Sequence, residues 1–76
     1  MTLGVKVESL RRARIKNGMS IRALAKTANL STATVFKTEN QETVPSPATA
    51  KKICNALGLE FDDLFVLKES KAKASV

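Results

Sequence analysis

The chain has no histidine, tryptophan or tyrosine, and Cys54 is its single cysteine among 76 residues. A lone cysteine cannot close an internal disulfide. We expect Cys54 to pack inside a helix as a small hydrophobic residue. Without histidine or paired cysteines, the sequence has no metal-ligand cluster, and it contains no nucleophile motif. We therefore expect neither an enzyme nor a protein that holds a metal or another cofactor.

Long apolar runs are also missing. No stretch approaches the ~20 apolar residues that a membrane helix needs, and no segment has the order of a signal peptide. These absences predict a soluble, cytoplasmic protein with no membrane partner. A chain of 76 residues supports one small domain, which leaves little room for a deep catalytic cleft and favours a binding module.

Acidic residues are scarce in the first half of the chain. Residues 1–38 contain eight lysines and arginines against Glu8 alone, a net charge of +7. Residues 39–76 contain five lysines against six acidic residues, a net charge of −1. Positive charge gathered in one half is typical of a face that meets phosphates. Charge alone does not distinguish such a face from an ordinary solvated surface, so the choice depends on the motif within that half.

The segment 19–40, MSIRALAKTANLSTATVFKTEN, contains two short helical patterns separated by a tight turn. Ser20 and Ser31 precede the two patterns, where a serine oxygen can accept a hydrogen bond from an amide of the first helical turn. Asn29 lies in the turn and tolerates the left-handed backbone conformation that such a turn needs. The segment therefore predicts a helix-turn-helix.

Helical spacing continues on both sides of this motif. A first helix is expected before Gly18, and a fourth runs from the Ser46-Pro47 start to Gly58. A last short helix follows, with an apolar surface formed by Phe61, Leu64, Phe65 and Leu67. We find no strand signal, and residues 68–76 are expected to form a polar, disordered tail. The predicted fold is a compact all-α domain of five helices over residues 1–67.

These elements resemble the Cro and phage-repressor class of helix-turn-helix regulators. The likeness covers residues 7–67 and is carried by LRRARIKNGMSIRALAKTANLSTATVFKTEN and ALGLEFDDLF. It implies a repressor-like transcription regulator that binds double-stranded DNA. It also implies that Arg14 of the first helix forms a structural ion pair with Glu39 at the end of the recognition helix. Ile21 departs from the family, which usually has a phosphate-contacting glutamine at this position.

The spacing of the recognition helix separates a core side from a side that can meet bases. If Val35 and Thr38 face the core, the opposite side is expected to contact base edges in the major groove through Thr32, Ala33, Phe36 and Lys37. The lysine can donate to guanine, the threonine can bond to a base edge or a phosphate, and the two apolar residues can touch a thymine methyl group. Two alternatives stay open: Lys37 contacts only phosphate, or Phe36 contacts a protein.

A second set of residues is expected to contact phosphates. Three of them lie at helix ends and two add positive charge: Ser20, Ser31 and Asn40, with Arg11 and Arg22. Such contacts fix the position of a protein on a duplex and carry no sequence information.

One recognition helix reads only a few base pairs, so we expect a homodimer on an inverted repeat. The predicted dimer interface is the apolar surface near the C-terminus, formed by Leu59, Phe61, Phe65, Val66 and Leu67. The competing function is an antitoxin or adaptor that uses the same fold to hold a protein partner.

Overall fold

A computed structural model describes residues 2–68, which are mostly helical. The helices are α1 (Val7–Lys16), α2 (Ile21–Thr27), α3 (Thr32–Glu39), α4 (Pro47–Leu57) and α5 (Phe61–Leu64). Two short strands, β1 (Thr2–Val5) and β2 (Phe65–Lys68), flank the helices. The prediction of a small five-helix domain is confirmed. Within this described range, no helix has the length and apolar character needed to cross a membrane.

Serine side chains cap three of the helices, as the sequence predicts. Ser20 Oγ accepts a hydrogen bond from the amide of Ala23 at 3.0 Å. Ser31 and Ser46 accept corresponding bonds from the amides three residues ahead, at 3.1 Å and 3.2 Å. Each bond satisfies an amide that has no partner within its own helix. The starts of α2, α3 and α4 are therefore fixed by local chemistry.

Left-handed residues end helices and shape the turn of the motif. Gly18 follows α1 with φ of 69°, and Gly58 follows α4 with φ of 68°. Asn29 adopts φ of 60° between α2 and α3, which confirms the turn expected from the sequence. An asparagine tolerates this conformation better than most other residues with a Cβ atom.

The core gathers side chains from every helix and from both strands. Its largest fully buried apolar members are Phe65, Leu10, Leu24, Ile53, Leu64 and Val35. Cys54 is buried on α4 as expected, and desolvation by burial raises the pKa of its thiol. The other predicted core residues of α4 are also buried: Ala50, Ile53 and Leu57.

Both ends of the described chain differ from the sequence-based expectation, which contained no strands. The sequence places Phe65 and Leu67 in the last helix, but α5 ends at Leu64 and β2 begins at the next residue. β2 pairs with β1 in an antiparallel register that sets Val5 opposite Phe65 and Thr2 opposite Lys68. No local pattern shows this pairing, because the two partners lie at opposite ends of the described chain.

The predicted polar tail is corrected at its first residue. Lys68 belongs to β2 rather than to a disordered segment. The rest of the predicted tail, residues 69–76, lies outside the described residues.

Candidate nucleic-acid interface

The helices α2 and α3 pack against each other across a short turn. The amide of Leu30 donates to the carbonyl of Ala25 at 2.8 Å, which folds the turn back onto the end of α2. The Leu30 side chain packs against the core from the turn itself. This arrangement holds α3 at a fixed place on the surface of the domain.

One side of α3 is buried against the rest of the domain. Val35 and Thr38 have no exposed surface, and Glu39 is 2% exposed. Thr38 Oγ1 donates to the carbonyl of Thr34 at 2.8 Å, so its buried hydroxyl has a partner within the helix. The buried side thus combines apolar packing with polar side chains whose hydrogen bonds are formed within the protein.

Arg14 and Glu39 connect α1 to the end of α3. Arg14 Nε donates to Glu39 Oε2, and Arg14 Nη2 donates to Glu39 Oε1 at 3.1 Å. Arg14 Nη1 also donates to the carbonyl of Met19 at 2.9 Å, just before α2 begins. Such a two-point contact constrains direction as well as distance. A single guanidinium therefore ties α1 to the end of α3 and to the segment that leads into α2.

Arg11 adds a second positive charge beside the same carboxylate. Its Nε lies 3.6 Å from Glu39 Oε1, and its side chain is partly exposed. The sequence predicts that Arg11 contacts phosphate and gives no sign of this ion pair. The Arg11 side chain stays 43% exposed, so this ion pair does not remove it from the surface.

The four residues predicted to meet bases all lie on the exposed side of α3. Ala33 and Lys37, one helical turn apart, line a groove between α3 and the loop before α4. Thr32 and Phe36, also one turn apart, lie outside that groove. The exposed surface of α3 is therefore divided into two columns, one with a lysine and one with a phenylalanine.

The predicted phosphate contacts at helix ends already have partners in the protein. Ser20 and Ser31 act as helix caps, and Ser31 Oγ also lies 2.7 Å from Thr34 Oγ1 in a shared hydrogen bond. Asn40 Nδ2 donates to the carbonyl of Phe36 at 2.8 Å and so caps the end of α3. Arg22 is exposed in the first turn of α2 and makes no ion pair within residues 2–68.

The end of α3 contains a feature that the sequence did not reveal. Gln41 adopts φ of 57°, a left-handed conformation that is uncommon for a residue with a side chain. The amide of Glu42 then donates to the carbonyl of Lys37 at 2.8 Å and terminates the helix. Glycine usually occupies this position, so the glutamine gave no sequence signal for the turn.

The residues predicted to form a dimer interface do not share one exposed surface. Phe65 is 1% exposed and belongs to the core, so a second chain cannot reach it. Its ring stacks on that of Phe61 at a centroid distance of 5.4 Å, and Phe61 is partly buried. Leu67 is 56% exposed and Leu59 is 38% exposed, while Val66 is partly buried. The prediction for Phe65 is wrong because β2 directs this side chain into the core.

A family model described as helix-turn-helix matches residues 10–64 of the chain. No curated protein gives a significant match. The matched range begins within α1 and ends with α5, so it includes the whole α2–turn–α3 unit and the Arg14–Glu39 pair. Proteins of this family are generally DNA-binding regulators. The chain belongs to the Cro and phage-repressor type of helix-turn-helix proteins.

Proposed function

We propose that this protein is a sequence-specific transcription regulator that inserts α3 into the major groove of an inverted-repeat operator. The observation that carries the proposal is the contrast between the two sides of α3. One side is anchored by Val35 and by the Arg14–Glu39 pair, while the other leaves Lys37 and its neighbours exposed. A rigidly held helix with free polar side chains is what base reading requires.

The charge distribution supports duplex DNA as the partner. The net charge of +7 in residues 1–38 includes Arg22 and Lys26, which are exposed on α2, the first helix of the motif. Phosphate contacts from such residues supply sequence-independent affinity. Lys37 is exposed on α3, and we propose that it donates hydrogen bonds to the edge of a guanine in the major groove.

The operator geometry requires two copies of the domain. A two-fold dimer places its recognition helices about one DNA turn apart, roughly 34 Å. We propose that the copies associate through the accessible part of the predicted apolar surface, namely Leu59, Phe61, Val66 and Leu67. Repression is the proposed mode of regulation because it needs only occupancy of the operator.

Selection from a randomised duplex pool, followed by sequencing, tests the proposal. Lys37→Ala and Arg22→Ala are then compared on the selected duplex and on a scrambled one. We expect Lys37→Ala to lose roughly 1–3 kcal/mol on the selected duplex alone, because a base contact discriminates by that amount. Arg22→Ala should weaken binding to both duplexes equally and reduce the salt slope by about one unit.

Two results would contradict the proposal in different ways. If Lys37→Ala weakens binding to both duplexes equally, the lysine is only a phosphate contact. If the pool yields no preferred sequence at all, the protein is not a sequence-specific regulator. A sedimentation measurement at micromolar concentration tests the dimer, since a monomer with full affinity for one half-site would exclude it.

The alternative function is an antitoxin or adaptor that binds another protein. Exposed apolar side chains outside α3 favour it, since Ile15 on α1 is 60% exposed and Leu67 on β2 is similarly accessible. In that case Lys37→Ala would leave partner binding intact, and no duplex would be enriched from the pool.

A further inference from the structure

Phe36 is an unusually exposed aromatic residue for so small a domain. It is 48% exposed in the middle of α3, whereas Phe65 is fully buried and Phe61 is partly buried. Its carbonyl accepts hydrogen bonds from the amide of Asn40 at 3.1 Å and from Asn40 Nδ2 at 2.8 Å. The backbone at Phe36 is therefore fixed, and the ring projects from a rigid position.

The surroundings of Phe36 point to an acidic partner. The ring shares its column of α3 with Thr32, and Lys37 follows it in the neighbouring column. The adjoining α2 also exposes two positive side chains, Arg22 and Lys26. Charge complementarity selects duplex DNA over an apolar protein surface as the occupant of this side.

The chemistry of the phenyl ring limits what it can recognise in a duplex. The ring has no hydrogen-bond donor or acceptor of the kind that base edges pair with. Guanine, cytosine and adenine present polar groups in the major groove, whereas thymine also presents a C5-methyl group. An apolar side chain therefore distinguishes thymine by contact with that methyl group.

We propose that Phe36 reads the C5-methyl group of a thymine in each operator half-site, an inference that rests on the proposed function. Lys37 and Phe36 belong to different columns of α3, so each reads a different base pair. The operator half-site then contains a thymine whose importance lies in its methyl group rather than in its hydrogen bonds.

Deoxyuridine substitution tests this inference because it removes the methyl group and leaves the pairing edge unchanged. Each thymine of the selected half-site is replaced in turn, and the Kd is measured for the wild type and for Phe36→Ala. At one position the wild type should lose about fourfold in affinity, which corresponds to ~0.8 kcal/mol for one buried carbon group. Phe36→Ala should bind the thymine and deoxyuridine duplexes equally at that position.

Two further variants control the comparison. Phe36→Leu retains an apolar side chain and should keep part of the preference for thymine. Ile15→Ala removes another exposed apolar side chain, from α1, and should keep the full wild-type preference. Far-UV circular dichroism checks that each variant is folded, and Phe36→Leu serves as the test variant if Phe36→Ala is not.

The possible failures are distinguishable. If no sequence is selected from the pool, the proposed function fails, and this inference fails with it. If a sequence is selected but lacks thymine, or no deoxyuridine substitution weakens binding, only the role of Phe36 is overturned. The same conclusion follows if Phe36→Ala retains the wild-type preference at the sensitive thymine, because another residue then contacts the methyl group.

Discussion

The two sides of α3 differ in how many constraints act on each residue. On the buried side, Val35 and Glu39 are enclosed by the core, and every buried side-chain nitrogen or oxygen within residues 2–68 has a hydrogen-bond partner. On the exposed side, Ala33, Phe36 and Lys37 face solvent. The position of α3 and its binding specificity therefore depend on separate residues. Substitutions on one side should change stability, and substitutions on the other should change binding.

The largest expected effect is loss of the Arg14–Glu39 pair. Glu39→Ala or Arg14→Ala should lower the free energy of unfolding by about 3–5 kcal/mol, because the remaining charge stays largely buried and loses its two-point contact. The double variant should cost less than the sum of the two single variants. Thermal melts and urea denaturation of all four proteins measure this coupling.

Glu42→Ala provides a matched control for that experiment. Glu42 is an exposed acidic residue just beyond α3, and its removal should change stability by less than about 0.5 kcal/mol. Strictly additive losses for Arg14→Ala and Glu39→Ala would show that their contact contributes nothing to stability.

A smaller effect is expected from apolar truncation on the buried side. Val35→Ala should cost about 2 kcal/mol, because it removes buried carbon atoms and leaves a cavity beneath α3. Thr32→Ala, an exposed substitution on the same helix, should change stability by less than about 0.5 kcal/mol. Urea denaturation of both variants measures the difference, and equal losses would remove the distinction between the two sides.

The smallest effect is expected at the turn that ends α3. Gln41→Gly should be about 1 kcal/mol more stable than Gln41→Ala, because only glycine adopts a positive φ without steric cost. Both substitutions remove the glutamine side chain, so their difference isolates the backbone conformation. Calorimetric melting temperatures provide the comparison. A more stable alanine variant would mean that the turn changes its conformation when Gln41 is replaced.

Local chemistry made much of the fold predictable from the sequence. Ser20 and Ser31 identify helix starts because a capping serine bonds within its own turn, and Asn29 identifies the turn between α2 and α3. The Arg14–Glu39 contact joins two helices that are distant in the sequence, so no local pattern predicts it. The family resemblance was the basis for predicting this ion pair. The exposed side of α3 followed from helical spacing alone.

The features that the sequence did not reveal depend on distant or unusual partners. The sequence around Phe65 is compatible with either a helix or a strand. Pairing with β1, at the other end of the described chain, places this residue in a strand. Gln41 was missed because its left-handed conformation is imposed by the turn and is not favoured by the residue. The proximity of Arg11 to Glu39 likewise requires the packing of α1 beside the end of α3.

The pairing of β1 with β2 has a consequence for the order of folding. Thr2 lies opposite Lys68, so the strands cannot pair until the intervening chain has brought them together. Contacts between distant positions form slowly because loop closure costs entropy before any hydrogen bond is gained. The α2–α3 unit, whose contacts are local, does not carry this cost. We therefore expect the helices to assemble first and the sheet to form last, and local opening of the two strands should leave the surface of α3 intact.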